Sequence, residues 1–301
     1  MNHLAKFSLC LLLFTSSFIC AAEPVRKEWK NLSYYSESAL SKAGEYQKTQ
    51  CVLDISAPEN AKGLPVLLWF HGGGLSVGSK AYAPMLKNEQ IVNVAVGYRL
   101  SPKAKFPDSF EEAAKEQEKK LSEKGKGNFP DFIEDAAAAA AWAFANIERY
   151  GGDSKKIFVG GHSAGAYLSA MVGFDSRWLK PHEIQPERIA GLILLSGQVT
   201  THFHVRQLLN YPQPEQVPVI DENAPFYHIS VKAPPMVLIV GDRKKEWPAR
   251  VEENEFLYAT LRVMKHPHVE FYENLGCDHG TVASSPDTAR QMKAFIEKVT
   301  K

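Results

Sequence analysis

The sequence predicts an α/β fold in which a mostly parallel central sheet is covered by helices on both faces. Apolar stretches of strand length recur along the chain, and segments with helical periodicity separate most of them. Strands that are apolar on both faces belong in a sheet that is buried on both sides, and their alternation with helices favours parallel pairing. The predicted strands are residues 51–55, 66–70, 91–96, 157–160, 191–195, 236–240 and 269–272.

The clearest predicted helix begins at Asp131 and ends before a glycine pair at residues 151–152. Asp131 is expected to cap the first turn together with Glu134, three residues later. Asp135 also lies near the start of this helix. Because a carboxylate at this place more often makes local hydrogen bonds than takes part in catalysis, we interpret Asp135 as structural.

Residues 157–165 form the segment that is most informative about function. A strand-like run breaks into a Gly-x-Ser-x-Gly pattern centred on Ser163, and a helical pattern follows over residues 164–172. A serine hydroxyl needs a tight turn to be exposed as a nucleophile, and Gly161 and Gly165 remove the Cβ atoms that would clash there. The bare pattern occurs by chance in roughly one 300-residue chain in ten. The flanking strand and helix therefore support a nucleophile elbow.

A His-Gly-Gly-Gly run at residues 71–74 follows the predicted strand at 66–70 directly. Acyl transfer puts negative charge on a carbonyl oxygen, and each preorganised backbone N–H that faces this oxygen contributes about 3 to 4 kcal/mol. Taken alone, the run is as well explained by a flexible turn. In combination with the elbow, it predicts an oxyanion-binding loop.

A nucleophilic serine needs a base, and the chain order expected with such an elbow is nucleophile, acid, histidine. His279 is the best placed base because it lies in the loop at residues 276–280, just after the last predicted strand. His162 lies inside the elbow and His71 leads the glycine run. We explain both of these by positioning rather than by proton transfer.

Two carboxylates are candidates for the acid that orients the histidine. The predicted strand at 236–240 runs into Gly-Asp-Arg-Lys-Lys-Glu, which contains Asp242 and Glu246. A carboxylate at this place would fix the imidazole tautomer and stabilise the imidazolium that forms when Ser163 gives up its proton. Both residues qualify on sequence, and the choice between them stays open.

The sequence argues against nucleic acid, metal and cofactor binding. Lysine and arginine total 35 and aspartate and glutamate total 34. The resulting net charge of +1 implies no basic face for nucleic acid. His202 and His204 could form a metal pair, but no carboxylate or cysteine cluster at ligand spacing supports one. We therefore predict no metal and no cofactor.

Residues 1–22 are predicted to be a cleavable signal peptide, with a lysine, an apolar stretch over 7–19 and small residues before the cut. The apolar stretch is too short to span a bilayer, so we predict no stable membrane anchor. A lipid anchor on Cys20 is disfavoured by the bulky Ile19 before it. The expected location is secreted or periplasmic, with residues 23–301 as a single domain.

After removal of the leader, the cysteines that remain are Cys51 and Cys277. Two cysteines do not form a disulfide-dense scaffold, so unpaired thiols are the default expectation. A charged insertion spans residues 103–128, with Glu and Lys at i,i+4 spacing. Two interpretations of it stay open, namely a partial lid and a solvated helix face.

These motifs resemble those of α/β-hydrolases of the carboxylesterase group. The chain is similar to hormone-sensitive-lipase-like esterases and especially to the bacterial feruloyl and acetyl-xylan esterase-like branch. The resemblance covers nearly the whole mature chain and rests on residues 71–74, 98–102, 134–135, 142, 151–153, 161–165 and 278–280. It implies an α/β-hydrolase fold, with oxyanion-hole N–H groups from Gly73, Gly74 and Ala164.

The chain departs from the family pattern in two places. The family's usual acid stands three residues after the glycine that ends its strand, and here that position is Lys244. The family also passes quickly from Ser-Pro to the Phe-Pro of the next helix, whereas here the insertion at 103–128 intervenes. The first departure leaves Asp242 or Glu246 as the acid, and the second affects the lid and therefore the substrate size.

The resemblance implies a serine carboxylic-ester hydrolase that acts through an acyl-enzyme on a small-molecule or carbohydrate ester. Short-chain, acetyl and feruloyl esters are the expected substrates. An arylformamidase-like amide hydrolase is an alternative, because the same catalytic groups would serve it. A catalytically inactive binding protein on the same fold is a second alternative, and Lys244 is the feature that favours it.

Export of the full chain by a bacterium is expected to yield a protein that begins at Glu23, because signal peptidases cut after small residues. Mass spectrometry of the N-terminus checks this. The variant Ala22→Phe, which places a bulky residue before the cut, is expected to slow processing. An exported protein that still begins at Met1 would contradict the prediction.

Overall fold

The computed structural model describes residues 25–102, 126–214 and 217–301. Its centre is an eight-stranded sheet with the strand order β1-β2-β4-β3-β5-β6-β7-β8. The strands are β1 (Arg26–Ser33), β2 (Val52–Pro58), β3 (Leu64–Phe70), β4 (Val92–Val96), β5 (Gly152–His162), β6 (Gly191–Leu195), β7 (Met236–Gly241) and β8 (Val269–Asn274). Strands β4, β3, β5, β6, β7 and β8 pair in parallel, whereas β2 pairs antiparallel with both β1 and β4. The predicted mostly parallel sheet is confirmed.

Helices cover the sheet on both faces. The helices of the described ranges are α1 (Glu37–Leu40), α2 (Glu45–Gln50), α3 (Asp131–Asn146), α4 (Ala164–Phe174), α5 (Ser176–Leu179), α6 (Phe203–Leu208), α7 (Arg250–Val263) and α8 (Pro286–Thr300). Alternate residues of a strand point to opposite faces. Leu68 of β3 accordingly joins the core formed with α3, α4 and α7, whereas its neighbour Leu67 packs with Phe295 of α8. Both faces are therefore buried, as predicted.

Two strands differ most from the sequence prediction. Strand β1 is not predicted, because its sequence RKEWKNLS is polar and all of its side chains are exposed or half-buried. It lies at the edge of the sheet and is held by antiparallel pairing with β2. Strand β5 begins five residues before the predicted start at 157, because Gly152 already pairs with Leu64 of β3. In both cases pairing to a neighbour defines the strand where the hydrophobic pattern does not.

Asp135 is a structural residue of α3, as the sequence predicts. Its carboxylate is fully buried. It accepts hydrogen bonds from the backbone N–H of Arg99 at 2.8 Å, from Arg99 Nη2 at 2.7 Å and from the Tyr35 hydroxyl at 2.6 Å. The carboxylate thus joins α3 to the loop after β4 and to the segment after β1.

Several predicted features lie outside the described residues. These are the leader at residues 1–22 and the larger part of the insertion, residues 103–125. Within the ranges that are described, no helix has the length and apolar character needed to cross a membrane. Cys51 is buried and Cys277 is half-buried, and both are free thiols.

Replacing the buried carboxylate by Asp135→Ala is expected to lower the free energy of unfolding by about 3 kcal/mol, because it leaves Arg99 without its buried partner. The matched control is Asp131→Ala, which removes a more exposed carboxylate that also pairs with Arg99 and costs about 1 kcal/mol or less. Urea unfolding measures both values. Equal losses in the two variants would contradict the structural role of Asp135.

Candidate active site

The turn that holds Ser163 joins β5 to α4. Ser163 has φ 56° and ψ −119°, a conformation that non-glycine residues rarely adopt. A Cβ atom on Gly161 would overlap the backbone of Gly165, and one on Gly165 would overlap the carbonyl oxygen of Phe70. Both glycines are therefore required by close packing. This strained turn between strand and helix is the geometry of the predicted elbow.

Three buried side chains form a hydrogen-bonded chain at this turn. His279 Nε2 lies 2.9 Å from Ser163 Oγ, and His279 Nδ1 lies 2.5 Å from Glu246 Oε1. An ionised carboxylate only accepts hydrogen bonds, so the proton of the neutral imidazole is on Nδ1. Nε2 is then the acceptor, and the Ser163 hydroxyl donates to it.

Glu246 is held as a carboxylate by the donors around it. Its Oε2 accepts from the Ser196 hydroxyl at 2.6 Å and from the backbone N–H of Gly241 at 3.1 Å, and its Oε1 also accepts from the N–H of Trp247 at 2.8 Å. Burial by itself would raise the pKa of Glu246. The hydrogen bonds outweigh burial, with His279 as the largest contributor, and lower this pKa to about 2.

Burial and the charge of Arg250 favour the neutral form of His279. Burial lowers the pKa of His279 below its usual range, although Glu246 acts in the opposite direction. The charge of Arg250 lowers the pKa further. On one face of the imidazole, the indole ring of Trp247 lies parallel at 3.8 Å between ring centroids. A neutral imidazole is the form that can accept a proton.

The structure separates the two carboxylates that the sequence left open. Glu246 reaches His279, whereas the Asp242 carboxylate accepts from the N–H of Lys244 and from the N–H of Gly276, both at 2.9 Å. The backbone explains the difference, because the N–H of Glu246 donates to the carbonyl of Asp242 at 2.7 Å. This single turn brings Glu246 back under the end of β7. Lys244, at the family's usual acid position, is exposed.

The glycine run lies against the nucleophile. Gly73 and Gly74 have φ angles of 113° and 58°, which glycine adopts without strain. A Cβ atom on Gly72 would come 3.3 Å from the Cβ of Ser163. The backbone N–H groups of Gly73, Gly74 and Ala164 have no acceptor among the described residues.

His71 and His162 make the positioning contacts that the sequence suggests. The Nδ1–H of His71 donates to the carbonyl of Gly72 at 2.7 Å, and its ring stacks on Tyr98 at 4.4 Å. The Nε2–H of His162 donates to the backbone carbonyl of His279 at 2.7 Å. Burial lowers the pKa of His71 to about 4, and burial together with His279 lowers that of His162 to about 3. Both rings are thus neutral hydrogen-bond donors.

Sequence reasoning did not find Ser196 or Trp247. Ser196 directly follows β6. Its position at the carboxyl end of a predicted strand could have indicated a site residue, because sites in such sheets lie beyond these strand ends. Trp247 directly follows a candidate acid, which was its signal. The contact of the Ser196 hydroxyl with Glu246 and that of the Trp247 ring with His279 depend on tertiary packing and could not be read from spacing.

His202 and His204 do not form part of a metal-binding group in the structure. His204 Nε2 lies 2.6 Å from the Ser101 hydroxyl, and the His202 ring stacks on Phe203 at 4.5 Å. Among the residues that the structure describes, no three His, Cys, Asp or Glu side chains are grouped as ligands for a metal ion.

Comparison with known proteins identifies the family of the chain. Residues 36–217 match the family model of the carboxylesterase family. The chain is 33% identical to gut esterase 1 of Caenorhabditis elegans over 134 residues, which are 42% of this chain and 21% of that protein. It is 25% identical to esterase LipC of Mycobacterium tuberculosis over 263 residues, which are 79% of this chain and 59% of LipC. The chain thus spans less than two thirds of the length of each of these relatives.

The fold is also found among solved structures. A truncated form of a carbohydrate esterase from gut microbiota superposes with a TM-score of 0.65 at 15% identity, over 93% of this chain and 99% of that chain. A likeness at this level of identity concerns the fold alone. The resemblance seen in the sequence is confirmed, and the chain belongs to the carboxylesterase family, with the α/β-hydrolase fold.

Proposed function

We propose that this protein hydrolyses carboxylic esters through an acyl-enzyme formed on Ser163. The observation that supports this most directly is the hydrogen-bonded chain from Ser163 through His279 to Glu246, with distances of 2.9 and 2.5 Å. Such a chain activates a serine hydroxyl by giving its proton a neutral acceptor backed by a fixed negative charge.

The first half of the reaction forms the acyl-enzyme. Ser163 Oγ attacks the ester carbonyl carbon while its proton passes to His279 Nε2. The carbonyl oxygen becomes negative and is bound by the free N–H groups of Gly73, Gly74 and Ala164. The imidazolium is stabilised by Glu246 and then gives the proton to the leaving alcohol.

The second half repeats these roles with water as the nucleophile. His279 Nε2 takes a proton from the water that attacks the acyl carbon, and the same N–H groups bind the oxyanion. The proton then returns to Ser163 Oγ as the acid product leaves. The pKa of Glu246, about 2, keeps the orienting carboxylate charged throughout the physiological range.

For the substrate, we propose short-chain or carbohydrate-linked esters, including acetyl and feruloyl esters. The family branch that the motifs resemble supports this class. A predicted leader at residues 1–22 would bring the enzyme to the periplasm or the medium, where polymeric carbohydrate is encountered.

The catalytic chain is tested with p-nitrophenyl acetate, butyrate and octanoate. Ser163→Ala is expected to lower kcat by about a thousandfold or more, and Glu246→Gln by about a hundredfold or more, because each breaks the proton relay. Asp242→Asn is the matched control. It removes a carboxylate in the same turn that does not touch His279, so kcat is expected to stay within about threefold of wild type.

The outcomes of this experiment separate the alternatives. An Asp242→Asn variant that falls as far as Glu246→Gln would show that the acid is assigned wrongly. If no ester is turned over but a fluorophosphonate probe labels Ser163, the substrate is an amide. An unlabelled wild-type protein would be the inactive binding protein. The contact of Glu246 with His279 argues against this last alternative, because it supplies the carboxylate that Lys244 cannot.

The pH dependence of kcat/KM is expected to show an acid limb with its midpoint below the ordinary imidazole pKa of 6.5. The reason is that His279 must be neutral to take the proton, and its pKa is lowered by burial. Activity is therefore complete above this pKa and is lost as the pH falls through it. An acid limb with its midpoint above pH 6.5 would show that burial does not lower the pKa of His279.

A further inference from the structure

The indole ring of Trp247 covers one face of the His279 imidazole. Their centroids are 3.8 Å apart and their planes differ by 13°, the shortest ring separation among the aromatic pairs of the described residues. The ring of His162 also lies near His279, at 4.9 Å, but its 44° tilt is too large for a parallel stack. Of these two rings, that of Trp247 is the one that stacks in parallel on the imidazole.

A single carboxylate oxygen orients both members of this stack. Glu246 Oε1 accepts the Nδ1–H of His279 at 2.5 Å and the backbone N–H of Trp247 at 2.8 Å. The imidazole and the backbone that bears the indole are therefore hydrogen-bonded to the same oxygen atom. Trp247 directly follows Glu246, so a shift of the Glu246 backbone would also move the indole. The indole would thus keep its position relative to the hydrogen bond between Glu246 and His279.

The stack affects the two protonation states of His279 differently. The face of an indole carries partial negative charge and attracts a cation, whereas a neutral imidazole gains mainly dispersion contacts. His279 is cationic only after Ser163 has transferred its proton. The attraction therefore acts most strongly in the transition state and the tetrahedral intermediate, where it accelerates the reaction.

We propose that Trp247 is a positioning residue for ester hydrolysis, which holds the His279 imidazole toward Ser163 and stabilises the imidazolium with its indole face. This rests on the proposed function, because the imidazolium matters only if Ser163 gives up its proton to His279.

Other charges also act on His279 and must be separated from the effect of Trp247. Glu246 and Asp278 raise the pKa of His279, whereas Arg250 lowers it. The neighbouring His162 is neutral because its own pKa is about 3. Trp247 itself carries no charge, but its indole ring lies 5.9 Å from the guanidinium carbon of Arg250. Trp247→Phe keeps an aromatic ring beside Arg250 and is therefore the variant in which these charges change least.

The test compares Trp247→Leu and Trp247→Phe with wild type. Leucine keeps an apolar cover but has no aromatic face, so kcat/KM at the pH optimum is expected to fall about tenfold. The acid limb is expected to move downward by about half to one pH unit, because the imidazolium loses a stabilising contact. Phenylalanine keeps a face and is expected to stay within about threefold of wild type, with a smaller shift of the limb.

The direction of the shift distinguishes the proposal from simple packing. If Trp247 only shielded His279 from water, its loss would hydrate the imidazolium and move the limb upward. An upward or absent shift in Trp247→Leu overturns the proposal, as does a Trp247→Phe variant that matches leucine. The control Trp142→Leu removes an indole on α3 that contacts Tyr150, and its acid limb is expected to coincide with that of wild type.

A second readout does not depend on turnover. The pKa of His279 is measured by NMR titration of the imidazole protons, assigned with the variant His279→Gln. The pKa is expected to be lower in Trp247→Leu than in wild type. If no ester is hydrolysed, the proposed function fails on its own, while this titration still decides whether the indole stabilises the imidazolium.

Discussion

The parallel register of neighbouring strands is the constraint on which the candidate site depends. Phe70 of β3 pairs with Gly161 of β5, and Leu195 of β6 pairs with both His162 and Ile239. Strands β3, β5, β6 and β7 therefore end at nearly the same level. The glycine run, Ser163, Ser196 and the turn to Glu246 follow these ends directly and meet at one edge of the sheet. His279 reaches the same edge from the loop after β8.

Within this frame, the Glu246 carboxylate joins three separate segments. Its two oxygens accept from Ser196 after β6, from Gly241 at the end of β7 and from His279 after β8. A buried charge is costly unless it is paired and hydrogen-bonded, and here donors surround it. The same contacts that keep the group ionised also determine the distance between β7 and the loop of the base. The hydrogen bonds of Glu246 thus set both its charge and the position of His279.

The sequence predicted those features that depend on local pattern. Continuous apolar runs indicated the buried strands, and glycine spacing indicated the turn at Ser163, because both are local consequences of packing. The polar strand β1 could not be predicted, because its pairing with β2 defines it and its own hydrophobic pattern does not. The acid could not be chosen from spacing, because the choice depends on one turn that brings Glu246 inward and leaves Asp242 at the surface. The stack of Trp247 on His279 depends on packing between two loops.

The loop that bears His279 also bears the free, half-buried thiol of Cys277. Its backbone carbonyl accepts the N–H of Asp242 at 2.8 Å, so the cysteine lies at the join between the loops of the acid and the base. Cys51 is completely buried, so under native conditions a thiol reagent is expected to react with Cys277 and not with Cys51. A fluorophore attached at Cys277 would report on the surroundings of the place where these two loops meet. The described part of the fold thus already contains a single accessible attachment point beside the candidate active site.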